Sequence, residues 1–243
     1  MPRRPPGCSP PPADPVPRRK QRTPELRARV LAAALDTLRD DGVAGLTTRA
    51  VARAAGTSTP AVYELFGDKD GLLCEVVFAG FRLLQVDLAA LPRTDDPRAD
   101  LVATLRTVRS FAAGQPVLSR LMFSRPVTAL DPGPADRAAA DSVRTLLVDR
   151  VRRLTTAMGR DIDPWDTAHV ALALVHGLAA QEAAGWLGST PMSTERRWAL
   201  AVDTLLDGLA HLPENPDAVS PPPATPRGRS PRPSSPRSRR SSS

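Results

Sequence analysis

The sequence predicts an all-α protein of about nine helices, and three observations predict it. Apolar residues recur at spacings of three and four, and alternating β-branched runs are absent. Pairs that open helices punctuate the chain: Thr23-Pro24, Asp96-Pro97 and Asp163-Pro164. Each puts a capping oxygen before a proline in the first turn, where a missing N–H costs little. The hydrophobic fraction of 41% is enough for a core, and the aromatic fraction of 4% means that Leu, Val and Ala build it.

Met1 to about Gln21 is Pro-rich and basic, a composition expected to stay disordered. The first helix is expected from Thr23/Pro24 to Asp40, with Leu26, Val30, Ala33, Ala34 and Leu38 inward and Gly42 ending it. Thr47 then caps a short helix from Thr48, whose apolar stripe is Val51 with Ala54 and Ala55. Gly56 sits where that helix stops and the chain turns, a position suited to positive φ. Ser58 caps the next helix and Pro60 falls in its first turn. Val62 and Phe66, four apart, point to the core. Thr57, Thr59, Ala61 and Tyr63 are left on another face, small or polar groups plus one aromatic hydroxyl. Two short helices around a glycine turn are the layout of a helix-turn-helix, whose second helix enters the DNA major groove.

A fourth helix is expected from Lys69 or Asp70 to about Leu91, with Val76, Val77, Phe81, Leu84 and Leu88 on its apolar side and Pro92 ending it. Asp96-Pro97 opens a helix to about Ala113, Gly114 and Pro116 break it, and a shorter one runs to about Phe123. Asp131-Pro132-Gly133-Pro134 reads as a turn before a helix from about Ala135 to Met158, charged on its outer face. Asp163-Pro164 opens a nearly all-apolar helix, expected to be buried on more than one side. Ser193 is expected to cap the last helix, which ends near Leu212. The division is then 1–21, a basic arm; 22–68, the helix-turn-helix; 69–212, a larger helical domain; and 213–243, a Pro/Ser/Arg tail expected to be disordered.

The net charge of +7 is unevenly spread. Residues 1–30 hold eight Arg/Lys and two acids, residues 213–243 six and two, and residues 31–212 nineteen and twenty-two. The basicity belongs to the ends, which points to a polyanion as partner, nucleic acid first. Within the tail, Pro226-Arg227-Gly228-Arg229, followed by Ser230-Pro231, resembles the core of AT-hooks, with Ser230 where that core has Pro. Cys8 and Cys74 make no secreted disulfide framework. No apolar run approaches the ~18 residues of a membrane span, and the N-terminus has no apolar signal segment, so a cytoplasmic protein is expected.

Residues from about Arg22 to Leu84 resemble the DNA-binding domain of TetR/AcrR-type transcriptional regulators. Ser58, Val62, Tyr63, Phe66 and Lys69 fall on the recognition-helix pattern of that family. The resemblance implies that Tyr63 donates its hydroxyl to a phosphate and that Lys69 supplies charge to one. It implies hydroxyl or backbone N–H contacts from Thr48 and Ser58 at helix N-termini. Thr57, Thr59, Pro60 and Ala61 lie on the groove side, and Thr59, Pro60 and Ala61 occupy positions that face base edges. Arg22 closes a basic run with Arg18, Arg19 and Lys20 that is able to follow the backbone or a minor groove. Glu64 and Leu65 depart from the basic or aromatic residues of many relatives. Glu64 either faces solvent, pairs with an Arg, or accepts from a cytosine amino group.

The resemblance also implies a C-terminal domain that binds a small molecule and dimerises. Val175-His176-Gly177-Leu178 resembles a Trp-His-Gly-type C-terminal domain, with Val in place of Trp. Phe81, Phe111, Met122, Phe123 and His176 are the candidate pocket residues between the middle helices. Leu172, Val175, Leu178, Ala179 and Ala183 on one helix, with Trp198, Val202, Leu205, Leu206 and Leu209 on the other, are the candidate homodimer surface. His169 and His176 are seven apart, too far to ligate as an i,i+4 pair, and no metal or cofactor is expected. No GxSxG, P-loop, GxGxxG, HExxH or CxxC occurs, so no enzyme is expected. The expectation is a dimeric repressor that binds a palindromic operator and is released by a small-molecule effector. The alternatives are an activator, or a dimeric helix-turn-helix protein with no effector.

Overall fold

The structure is a computed structural model that describes residues 23–124 and 133–212. The basic arm with Arg22, the turn residues Asp131 and Pro132, and the tail with its AT-hook-like run lie outside the described residues. Among the described residues there are nine helices and no strand. They are α1 (Pro24–Gly45), α2 (Thr48–Ala54), α3 (Thr59–Phe66), α4 (Lys69–Ala89), α5 (Pro97–Gly114), α6 (Pro116–Ser124), α7 (Pro134–Ala157), α8 (Pro164–Ala183) and α9 (Pro191–Leu209).

The cap-plus-proline pairs start helices as the sequence predicts. Thr23 accepts from the Leu26 N–H at 3.2 Å, Asp96 from Ala99 at 2.9 Å, and Asp163 from Trp165 at 2.6 Å. Each such cap contributes about 1 kcal/mol to its helix. The last helix corrects the expectation at Ser193. Thr190, immediately before Pro191, is the cap, and Ser193 completes a reciprocal capping box from the third helical position. That helix ends at Leu209 rather than near Leu212. In α1 the backbone leaves the helix at Gly42 (φ 68°, ψ −170°), as expected, and one further helical turn follows it. In α2 the buried stripe is Val51, Ala52 and Ala55; Ala54 faces solvent.

The α4 helix is the axis of the molecule. It packs on α1 and α3 at its start and on α5, α6 and α7 beyond. Leu72, Val76, Phe78 and Leu84 on it are fully buried. At Gly80 a Cβ would meet the Met122 Sδ at 2.5 Å, so the missing side chain is what seats Met122 of α6 against the α4 backbone. Two charged clusters tie the outer helices down. Arg109 of α5 donates to both oxygens of Glu182 on α8 at 2.9 and 3.0 Å and pairs with Glu195 on α9. Its guanidinium stacks 4.5 Å over Trp198, whose Nε1 donates to Glu182 at 2.7 Å. Asp100 on α5, 4% exposed, pairs with Arg150 at 2.9 Å and with Arg153, both on α7.

The α8 helix departs from the expected burial on more than one side. Within one chain only Thr167, Ala168, Ala171 and Val175 are buried. The opposite face carries Val170, Ala173, Gly177, Ala180 and Ala184 in the open, and α9 exposes Leu200 beside Thr204 and Gly208. The expected dimer surface is corrected accordingly. Val175, Trp198, Val202, Leu206 and Leu209 are buried in the chain's own core and cannot also face a partner.

Candidate nucleic-acid interface and effector cleft

The helix-turn-helix is built from its caps inward. Thr47 accepts from the Ala50 N–H at 3.2 Å and opens α2. Gly56 turns the chain at φ 62°, where a side chain would be strained. Ser58 accepts from the Ala61 N–H at 3.4 Å and opens α3. Val62 and Phe66 anchor α3 to the core. The side chains predicted for the groove are then presented together on its other face. Pro60 and Tyr63 are exposed, and Thr57, Ser58, Thr59 and Ala61 are half-buried. Lys69 is exposed at the first position of α4. Tyr63 is 48% exposed, so its ring is no core residue.

Thr48 stands apart from this set, since it is buried. Its hydroxyl donates to the Tyr63 hydroxyl oxygen at 3.3 Å, leaving the Tyr63 proton free to point outward. Arg27 is the positioning residue that the sequence reading missed. It donates to the Leu65 carbonyl at 2.7 Å, at the end of α3, and its guanidinium lies 4.6 Å from the Phe66 ring centre. It also pairs with Glu75 on α4. Its partners lie 38 and 48 positions along the chain, so no local sequence signal marks it. Arg49 and Arg53 are exposed on α2 and add cations near the groove face.

A second site lies in the helical part. A cleft of about 210 Å³ opens between α5, α6 and α8. Ala112 and Pro116 line it on one side, Ala179, Ala180 and Ala183 on the other, with Ser119 and Arg120 from α6. Phe123 and His176 also face it, their ring centres 3.7 Å apart. Of the predicted pocket residues, these two line the cleft. Phe81, Phe111 and Met122 are buried behind it, with Phe81 edge-on to Phe123 at 5.7 Å. Burial pushes the His176 imidazole down to a pKa of about 4, so it is neutral near pH 7. Its Nε2 is shut off from solvent and has no hydrogen-bond partner among the described residues. The alanines of α8 form the wall that periodicity alone assigned to close helix packing. Among the described residues no group of three or more His, Cys, Asp or Glu is placed to hold a metal ion.

A helix-turn-helix with an exposed polar recognition face, joined through one long helix to a larger helical bundle, defines the class of helix-turn-helix transcriptional regulators. Residues 30–76 match the profile described as bacterial regulatory proteins, tetR family, and residues 101–205 match a tetracyclin repressor-like C-terminal domain. The HTH-type transcriptional regulator BetI of Rhizobium meliloti (strain 1021) is 30% identical over 208 residues, covering 82% of this chain and 96% of that one. The tetracycline repressor protein class A from transposon 1721 of Escherichia coli is 40% identical over 81 residues, 33% of this chain and 37% of that one. A protein of unknown function from Rhodococcus sp. RHA1 superimposes with a TM-score of 0.64 at 32% identity, covering 79% of this chain and 99% of that one. A TetR variant from Acinetobacter baumannii AYE in complex with minocycline shares the fold, with a TM-score of 0.56 at 20% identity over 75% and 94% of the two chains. The chain belongs to the TetR family of transcriptional regulators, DNA-binding proteins of the helix-turn-helix type.

Proposed function

We propose that this regulator is a cytoplasmic, effector-responsive repressor that binds a palindromic operator as a homodimer. The observation that carries the reading is the continuity between the two sites. The cleft shares α6 with α4 through the Gly80–Met122 approach, and α4 begins at Lys69, beside the recognition helix. An occupant that shifts α6 therefore bears on α4 through the Met122 side chain seated against Gly80. The open faces of α8 and α9 support a four-helix contact between two copies, with Val170 and Leu200 56% and 65% exposed in the single chain. In such a dimer two recognition helices about 34–36 Å apart enter successive major grooves of one DNA face. Thr59, Pro60, Ala61 and Tyr63 contact DNA from α3, Thr57 and Ser58 from the turn before it and Lys69 from the start of α4, with Thr48 orienting Tyr63 and Arg22 contributing from the basic arm. The effector releases DNA by as much as its affinity differs between the two arrangements, typically ~1–3 kcal/mol.

The test is selection of fragments from the source genome by the purified full chain, followed by a reporter driven by the enriched sequence. A repressor binds a palindrome as a dimer and silences the reporter. Recovery of fragments without a shared palindrome would sink the operator reading, and a stimulated reporter would make the protein an activator.

A further inference from the structure

Resting on the cleft as the effector site, we propose that its occupant is a small aromatic carboxylate, its ring against Phe123 and His176 and its carboxylate met by Arg120. The volume comes first. About 210 Å³ lies below the ~300–1,000 Å³ of clefts that take drug-sized ligands, so the occupant is smaller than those. The walls come next. Ala179, Ala180 and Ala183 line the space together with the Phe123 and His176 rings, which suits a flat apolar body and leaves it few polar contacts.

Charge then selects among flat molecules. Among the described residues no Asp or Glu lines the cleft, so a cationic ligand finds no counter-charge there. Arg120 is exposed at its edge and has no ion-pair partner among the described residues. Five guanidiniums of the helices, Arg27, Arg82, Arg109, Arg150 and Arg153, each face a carboxylate of this chain, and Arg120 does not. Arg120 is left to meet one from outside, and a guanidinium takes a carboxylate through two parallel N–H donors. Deeper in, the neutral His176 offers a ring face without charge, and no carboxylate among the lining residues repels an acid. One molecule with an aromatic ring and an acid group answers the rings and the cation at once.

The experiment is calorimetric titration of the full chain with benzoate and 2-naphthoate, and with benzamide and 2-naphthamide as neutral isosteres. The expected result is that a carboxylate binds at least tenfold tighter than its amide. Arg120→Gln, a substitution at an exposed position, should bring the carboxylate down to the amide and leave the amide unchanged. Equal affinities for acid and amide, no binding by either acid, or an acid indifferent to Arg120→Gln overturns the proposal. Ala179→Phe, which fills the cleft, separates this from the reading beneath it. Amides that bind as tightly as the acids and are lost in Ala179→Phe would overturn the acid and keep the cleft. Acids that bind Ala179→Phe undiminished, while it keeps the wild-type melting profile, would overturn the cleft.

Discussion

The hydroxyl of Thr48, buried at the start of α2, donates to the hydroxyl of Tyr63, exposed on α3, across 3.3 Å. The bond crosses the turn of the helix-turn-helix and fixes where the one tyrosine of the chain aims its proton. On the proposed reading Thr48 acts through Tyr63, and Tyr63 is the group that reaches a phosphate. A hydrogen bond to a charged group contributes ~1.5–3 kcal/mol, tenfold or more in affinity. Tyr63→Phe should therefore weaken operator and non-specific DNA alike by about tenfold, because a phosphate contact carries no sequence. The melting point should hold, as an exposed ring loses little by shedding its hydroxyl. Thr48→Val should weaken DNA by less, since it removes only the orienting bond. Fluorescence anisotropy on both duplexes decides it. An unfolded Tyr63→Phe whose folded fraction binds normally would put Tyr63 in the core instead.

Arg27, Glu75, Arg82 and Asp136 form a row of alternating charge from α1 across α4 to α7. Glu75 is shared, since Arg82 approaches it at 3.7 Å while also pairing with Asp136. Removing Asp136 turns Arg82 wholly toward Glu75 and loosens Glu75's hold on Arg27, which props the end of the recognition helix. Asp136→Asn should lower DNA affinity two- to fivefold from a helix that carries none of the groove-facing residues. In a Glu75→Gln background the same change should do nothing, because coupled neighbours are not additive by ~0.5–3 kcal/mol. A double-mutant cycle measured by DNA titration tests this, and strictly additive effects would dissolve the row into separate surface pairs.

What the sequence discloses here follows from how local each cause is. Thr47, Gly56 and Ser58 act on their own turns, so the helix-turn-helix is readable almost residue by residue. The failures are tertiary. Arg27 meets Leu65 thirty-eight positions away, and nothing in α1 alone announces it. The apolar run of α8 signals burial but not by what, so Val175 and Val170 read alike although one is in the core and the other is open. Ser193 loses to Thr190 because both are sound caps three residues apart, and the proline after Thr190 decides. Phe123 and His176 of the cleft are legible, but four of its nine lining residues are alanines, which periodicity assigns to packing and only the neighbouring helices turn into a wall.

Asp100 supplies a pH dependence with a definite sign. Burial acts to raise its pKa, but hydrogen bonds from Arg153 and Thr94 and the charge of Arg150 outweigh it and hold the carboxyl at about 2. The folded value lies below the ordinary 3.8, so the unfolded chain binds the proton more readily. The contribution is complete above about pH 4 and is lost as the pH falls through that range toward 2. Wild type should lose melting temperature steeply there, and Asp100→Asn should start lower at pH 7 and flatten that part of the curve. Scanning calorimetry between pH 7 and 2 tests it. Parallel curves for the two proteins would show that Asp100 contributes nothing to the acid limb.

The last prediction concerns where the attraction to phosphate comes from. Between Leu31 and Leu73 the chain has four basic residues and six acidic ones, and the whole middle, residues 31–212, has nineteen and twenty-two. A recognition face that is not itself cationic positions and reads DNA but supplies little of the counterion release that dominates affinity. The basic ends are the available source. Deleting residues 1–21 removes Arg3, Arg4, Arg18, Arg19 and Lys20, and truncation after Leu212 removes six more arginines. Each phosphate no longer neutralised should lower the slope of log K against log salt by ~0.9. The N-terminal deletion should flatten the slope by the equivalent of two or more phosphates on every duplex, because the run lies immediately before α1. The C-terminal truncation distinguishes two roles for the run Pro226-Arg227-Gly228-Arg229. A loss confined to operators with A·T-rich flanks marks minor-groove insertion, where a narrow groove concentrates negative potential. An equal, salt-sensitive loss on A·T- and G·C-rich flanks marks a tether that raises local concentration without reading sequence. Slopes that stay unchanged after both truncations would refute the assignment and return the affinity to Arg49, Arg53 and Lys69 on the folded surface.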